Sequence, residues 1–233
     1  MNLEAIVERF FETLINGDRP AARRIVGEAL ELGLTPERLM SDMYWPTYSL
    51  IDRLHREDQL SDVSYKLGTR LLRVLVDRTS AALTQQNSRG KSIFAMCGPT
   101  DCDELGAQMA VDMLEAAGFT TRFPGGQLPN DEVLSQVHEF RPDILLLFSS
   151  GPSDLPGVRQ LIDTFREIGA LPKLQIAVGG GVFARAEGLA EEIGAHIFAP
   201  TPMAMVKTLM ADSAGVAAEA EREIVRRRKA RAA

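Results

Sequence analysis

The sequence is poor in the residues that build metal centres and disulfide frameworks. In 233 residues it has two cysteines, Cys97 and Cys102, and three histidines, His55, His138 and His196. Two cysteines make neither a disulfide framework nor a cysteine-only zinc site. The histidines lie far apart, and HExxH and its relatives are missing, so a local metal motif is excluded. No apolar run approaches the ~18–20 residues that span a bilayer, and no membrane partner is expected. The first residues, Met1-Asn2-Leu3-Glu4-Ala5, lack the basic start and apolar centre of an export signal, so a cytoplasmic location is expected. A net charge of −6 argues against direct nucleic-acid binding. What is there is ordinary for a globular chain: 45% hydrophobic and 25% charged residues, enough to bury a core.

The two halves read differently. Residues 1–86 carry no strand pattern. Leu3, Ile6, Val7, Phe10, Phe11 and Leu14 recur at helical spacing. Asp18 followed by Pro20 starts a second helix, which Gly33 ends. Thr35-Pro36 starts a third, which Pro46 must kink or restart. Ser61 caps a long fourth helix with Val63, Leu67, Leu71, Leu72, Leu75 and Val76. Short connections between such helices predict an all-α four-helix bundle. A polar linker at 87–91 follows. From 92 to 212 short apolar strands alternate with helices. Strands are predicted at 92–97, 119–123, 144–148, 174–178 and 196–198, and helices at 103–117, 130–140, 155–169 and 184–193, with a last helix from Thr201-Pro202. This is an α/β doubly wound parallel sheet of five strands, in the flavodoxin-like order. Residues 213–233 are expected to form a helical tail whose basic run, Arg226 to Arg231, reads either as a contact for acidic partners or nucleic acid or, in preference, as a solvated helix end.

Open α/β sheets bind ligands at the carboxyl ends of their strands. There the chain places Thr100, Asp101, Cys102 and Asp103 after the first strand and Ser149, Ser150 and Gly151 after the third. Gly179, Gly180 and Gly181 follow the fourth, and Thr201 follows the fifth. Glycines admit a close ligand and hydroxyls offer hydrogen bonds, although each turn alone also reads as an ordinary tight turn. The dinucleotide fingerprint and the Walker A loop are both missing. No aspartate ends the third strand, which argues against a phosphoacceptor. No nucleophile–base–orienter set is visible, so autonomous catalysis is not expected.

A helical bundle before such a sheet resembles the cobalamin-binding module of methionine synthase, corrinoid methyl-carrier proteins and B12-dependent photoreceptor regulators. The family pattern DxHxxG, then SxL or SxT, then GG, is matched by Asp101-Cys102-Asp103-Glu104-Leu105-Gly106, then Ser149-Ser150-Gly151, then Gly179-Gly180. The resemblance covers about residues 1–210. It implies a corrin ring between the helical cap and the sheet edge. It also implies a nucleotide tail in a groove between the sheet and its flanking helices.

The departures are specific. The family's lower cobalt ligand, a histidine, is Asp103 here, and a carboxylate is a hard, weak cobalt ligand beside imidazole. His55 stands where relatives carry a cap tryptophan, and Tyr65-Lys66 where they carry Glu-His. His55 is thereby a candidate upper ligand to cobalt, or else a surface histidine at a helix end. Asp101 and Asp103 read as helix caps or ligand contacts, and Gly106 as a close-packing position. Cys102 reads as a sensor thiol, a soft axial ligand or a small buried residue.

These departures place a cobalamin-binding sensor or regulatory adaptor first, with a small-molecule corrinoid and a protein partner or second copy as its partners. A corrinoid methyl carrier for a methyltransferase comes second. A heme sensor using His55 or Cys102, and a ligand-free interaction module, follow.

Overall fold

A computed structural model describes residues 3–211 of the chain, and the basic tail expected at 213–233 lies outside them. The chain divides into two compact units, Met1–Gln86 and Asn87–Ala233.

In the first unit, α1 (Leu3–Ile15) and α2 (Arg19–Glu31) are joined by Asn16-Gly17-Asp18. The Asp18 side chain accepts the Ala21 N–H at 3.0 Å and caps α2. Thr35 caps the single turn α3 (Pro36–Arg38). A π-helical turn, Leu39–Tyr44, leads from it into α4 (Trp45–Arg56). The wide turn answers the constraint posed by Pro46. Proline has no N–H to donate and its ring crowds the preceding carbonyls. The chain widens instead: the Trp45 N–H donates to the Met40 carbonyl, five residues back. Ser61 caps α5 (Asp62–Ser80) by accepting the Ser64 N–H at 3.2 Å. Phe10, Leu14, Ile25, Met43, Tyr44, Ile51 and Leu72 form the buried interior. Phe10 stacks on Tyr44 at 5.7 Å, and the Tyr44 hydroxyl bonds Thr79 at 3.0 Å. Val63 and Leu67 depart from the periodic expectation and stay exposed.

The second unit runs β1 (Ser92–Cys97), α6 (Asp101–Ala116), β2 (Thr120–Arg122), α7 (Asn130–Phe140), β3 (Ile144–Phe148), α8 (Leu155–Ile168), β4 (Gln175–Gly179), α9 (Gly181–Arg185), α10 (Leu189–Glu192), β5 (Ile197–Phe198) and α11 (Pro202–Met210). All strand pairs are parallel, in the order β2-β1-β3-β4-β5. This is the flavodoxin-like order, whose switch point lies between β1 and β3. β3 is buried at all five positions, as a central parallel strand must be.

Side chains alternate between the two faces. Phe94, Leu145, Leu147, Ile176 and Val178 pack with α7 and α8. Cys97, Phe148 and Gly179 are in register with one another on the other face, where α6 and α11 pack together. One element differs from the sequence expectation. The helix expected at 184–193 is two short ones, because Ala186 is extended and Gly188 is left-handed.

Candidate functional site

The loops after β1, β3 and β4 meet at the carboxyl edge of the sheet. Gly98 donates its N–H to the Phe148 carbonyl at 2.9 Å, and Ser149 donates to the Gly179 carbonyl at 3.0 Å. A Cβ on Gly180 would come within 2.2 Å of the Ser149 carbonyl oxygen, and Gly180 has φ +102°. Only glycine fits that contact and that backbone. The small residues of this edge therefore serve first to let the loops touch one another.

Asp103 is the hub of the edge. It is fully buried, at the third position of α6. Its Oδ1 accepts the Ser150 N–H at 2.6 Å. Its Oδ2 accepts the Thr100 N–H at 3.1 Å and the Thr100 hydroxyl at 2.5 Å. Thr100 in turn accepts the Asp103 N–H at 3.0 Å, which closes a capping box. Arg185 of α9 donates to the Ser150 carbonyl. These contacts tie the loop after β3 to the start of α6 and the end of α9.

A second carboxylate sits beside the first. A Cβ on Gly98 would lie 2.7 Å from an oxygen of both Asp103 and Asp154. Burial, and next the Asp103 charge, push the Asp154 carboxyl above its ordinary range. Asp154 also lines a cavity of about 150 Å³ at the switch point, together with Gly98, Met96, Leu128, Leu147 and Val158. The sequence reading missed Asp154 and this cavity. The signal was present: Gly98 directly follows β1, and Asp154 closes the Ser149–Pro152 loop.

Most of the sequence-assigned residues do gather here. Thr100 to Asp103, Ser149 to Gly151 and Gly179 to Gly181 belong to these touching loops, and Gly106 lies buried one turn into α6. Thr201 uses its hydroxyl to accept the Ala204 N–H at 3.1 Å and cap α11. Cys102 is buried. His55 belongs to the first unit, where its ring stacks on Tyr65 at 3.9 Å and its Nε2 meets Asp62 at 3.0 Å. Neither histidine of the second unit lies at this edge. His138 lies in the last turn of α7, at the opposite end of the sheet. His196 precedes β5, and its Nδ1 accepts the Ile176 N–H at 2.8 Å. Among the described residues no group of three or more His, Cys, Asp or Glu is placed to hold a metal ion. No described helix is long and apolar enough to cross a membrane.

A parallel five-stranded sheet with glycine- and serine-lined loops at its carboxyl edge defines a ligand-binding α/β module. The sequence profile of the B12 binding domain matches residues 91–207, half of the chain, and the chain belongs to that family. It is 20% identical to the trimethylamine corrinoid protein of Methanosarcina barkeri over 200 residues, 84% of this chain and 91% of that protein. It is 28% identical to dimethylamine corrinoid protein 3 of Methanosarcina mazei over 99 residues, 42% of this chain and 58% of that protein. The solved monomethylamine corrinoid protein of Methanosarcina barkeri has the same fold. Its TM-score is 0.76 at 15% identity, covering 88% of this chain and 97% of that one.

Proposed function

We propose that the chain is a corrinoid-binding carrier protein that serves a methyltransferase partner. One observation carries this reading: the chain aligns with a trimethylamine corrinoid protein over 91% of that protein's length, through both the helical half and the B12-binding half. The sequence alone ranked the sensor first, because Asp103 replaces the expected histidine. The relatives favour the carrier instead.

A bound corrinoid supplies a cobalt centre that can hold a methyl group. The protein's own contribution is to bind and orient it. The touching loops of Gly98, Ser149–Gly151 and Gly179–Gly181 form a firm edge of backbone amides and hydroxyls. Thr100, Asp103 and Arg185 hold those loops in place. The heme alternative gains no support, since the relatives are corrinoid proteins and Cys102 is buried.

The sensor reading keeps one observation in its favour. Asp103 is a buried, hydrogen-bonded strut where the resembled family has a cobalt ligand. Mixing the chain with hydroxocobalamin and desalting tests the shared claim; retained corrin absorbance is expected, and none would refute it. Methyl uptake by the loaded chain from a partner methyltransferase separates the two. Corrin retention without methyl uptake would refute the carrier and leave the sensor.

A further inference from the structure

We infer, on the corrinoid-binding reading above, that a cobalamin held by this chain keeps its own benzimidazole on cobalt, because the sheet edge places no side chain fit to replace that base.

Displacing the base needs a protein donor at the carboxyl edge. Asp103 is the residue in position, and it does not fit the task. It is fully buried, and both of its oxygens are engaged, by Ser150 on one side and Thr100 on the other. Turning it toward a ligand would leave the buried Ser150 N–H without its acceptor, and a carboxylate is a poor exchange for a nitrogen base on cobalt. The imidazoles of this unit are elsewhere. His138 lies at the opposite end of the sheet, and His196 spends Nδ1 on the Ile176 N–H. Cys102 is buried. In the other unit His55 is occupied by Asp62 and Tyr65.

A displaced base also needs room for itself and its ribose-phosphate. Pockets for ligands of that size run to about 300–1,000 Å³. On the α7–α8 face the switch-point cavity is about 150 Å³. On the α6–α11 face Phe148 and Met205 approach the end of β4. A Cβ on Gly179 would already lie 3.2 Å from the Phe148 ring and 3.6 Å from Met205 Cε. With no side chain placed to take its position, and with the switch-point cavity smaller than such a group, the base stays where the free cofactor has it.

The test is electron paramagnetic resonance of the full chain loaded with hydroxocobalamin, desalted and reduced to the Co(II) form. Protein is prepared with natural nitrogen and with ¹⁵N. A triplet axial-nitrogen splitting, unchanged by the labelled protein, is expected, because the coupled nitrogen belongs to the unlabelled cofactor. Conversion of the triplet to a doublet in the ¹⁵N protein would place a protein nitrogen on cobalt and overturn the inference. Loss of axial-nitrogen splitting in both samples would show the base displaced and overturn it as well. Failure to retain any corrin would instead overturn the corrinoid-binding reading, and this inference with it.

Discussion

Asp103 and Ser150 stand 47 residues apart in the chain and 2.6 Å apart in space, a buried carboxylate oxygen accepting a buried backbone N–H. The bond joins the first turn of α6 to the loop after β3. Asp103→Ala leaves the Ser150 N–H without an acceptor and opens the capping box. The expected cost is about 2–3 kcal/mol, a fall of about 5–10 °C in melting temperature. Asp103→Asn keeps one acceptor oxygen and should cost about half as much. Equal melting temperatures for wild type and Asp103→Ala, by calorimetry, would refute the role of the strut.

The adjacent glycines of the β4 loop should respond unequally. Gly180 has φ +102° and ψ 168°, and its missing Cβ would meet a backbone oxygen at 2.2 Å. That backbone region is essentially reserved for glycine. Gly180→Ala is expected to cost at least about 3 kcal/mol. Gly179→Ala meets the Phe148 ring at 3.2 Å, where a side chain can give way, and should cost about 1 kcal/mol. Urea denaturation of the two variants reads the difference directly.

Glu37 makes the first unit sensitive to acid. It accepts the Thr84 N–H at 2.9 Å, and chiefly for that reason its carboxyl is held from 4.5 down to about 2. A carboxyl lowered by folding stabilises the fold above its ordinary value and loses that contribution as pH falls toward the folded one. Glu37 is partly exposed, so solvent screening reduces the contribution to about 1 kcal/mol. Glu37→Gln should be less stable than wild type at pH 7. The gap should narrow between pH 4.5 and about 2.

Gly27 offers a change in the other direction. It lies inside α2, and a Cβ there would meet nothing within 4 Å. Gly27→Ala is expected to add about 1 kcal/mol from helix propensity alone. A rise of about 2–4 °C in melting temperature is the expected readout.

The strands were legible because their residues agree at every level. Ile144–Phe148 is continuous, apolar and bounded by polar residues, and such a segment has one place in a parallel sheet. The helix starts at Asp18, Thr35 and Ser61 were legible for a local reason: each cap bonds an N–H three residues away. The site was legible as a set of loops but not as a set of contacts. Asp103 read as a helix cap or a ligand contact, since carboxylates suit a helix start. Its burial depends on Ser150, and nothing within a few residues of Asp103 announces that partner. The capping box between Thr100 and Asp103 was not read from the sequence, although the spacing Thr100-x-x-Asp103 suits one. Gly180 looked like room for a ligand, whereas its space is taken by the Ser149 backbone. Between α9 and α10 Gly188 was the visible signal, since it takes the left-handed conformation there, whereas the extended Ala186 carries no helix-breaking signal of its own.

The wide turn at Leu39–Tyr44 also acts as a phase shifter for everything that follows it in α4. One α-helical residue turns the chain by about 100°, and a π turn accommodates an extra residue without restarting the helix. Removing one residue from this turn would restore regular winding. It would also swing the Ile51 face of α4 out of the bundle interior by that angle. The orientation of His55 against Tyr65 is therefore set some ten residues upstream, by the accommodation of a single proline.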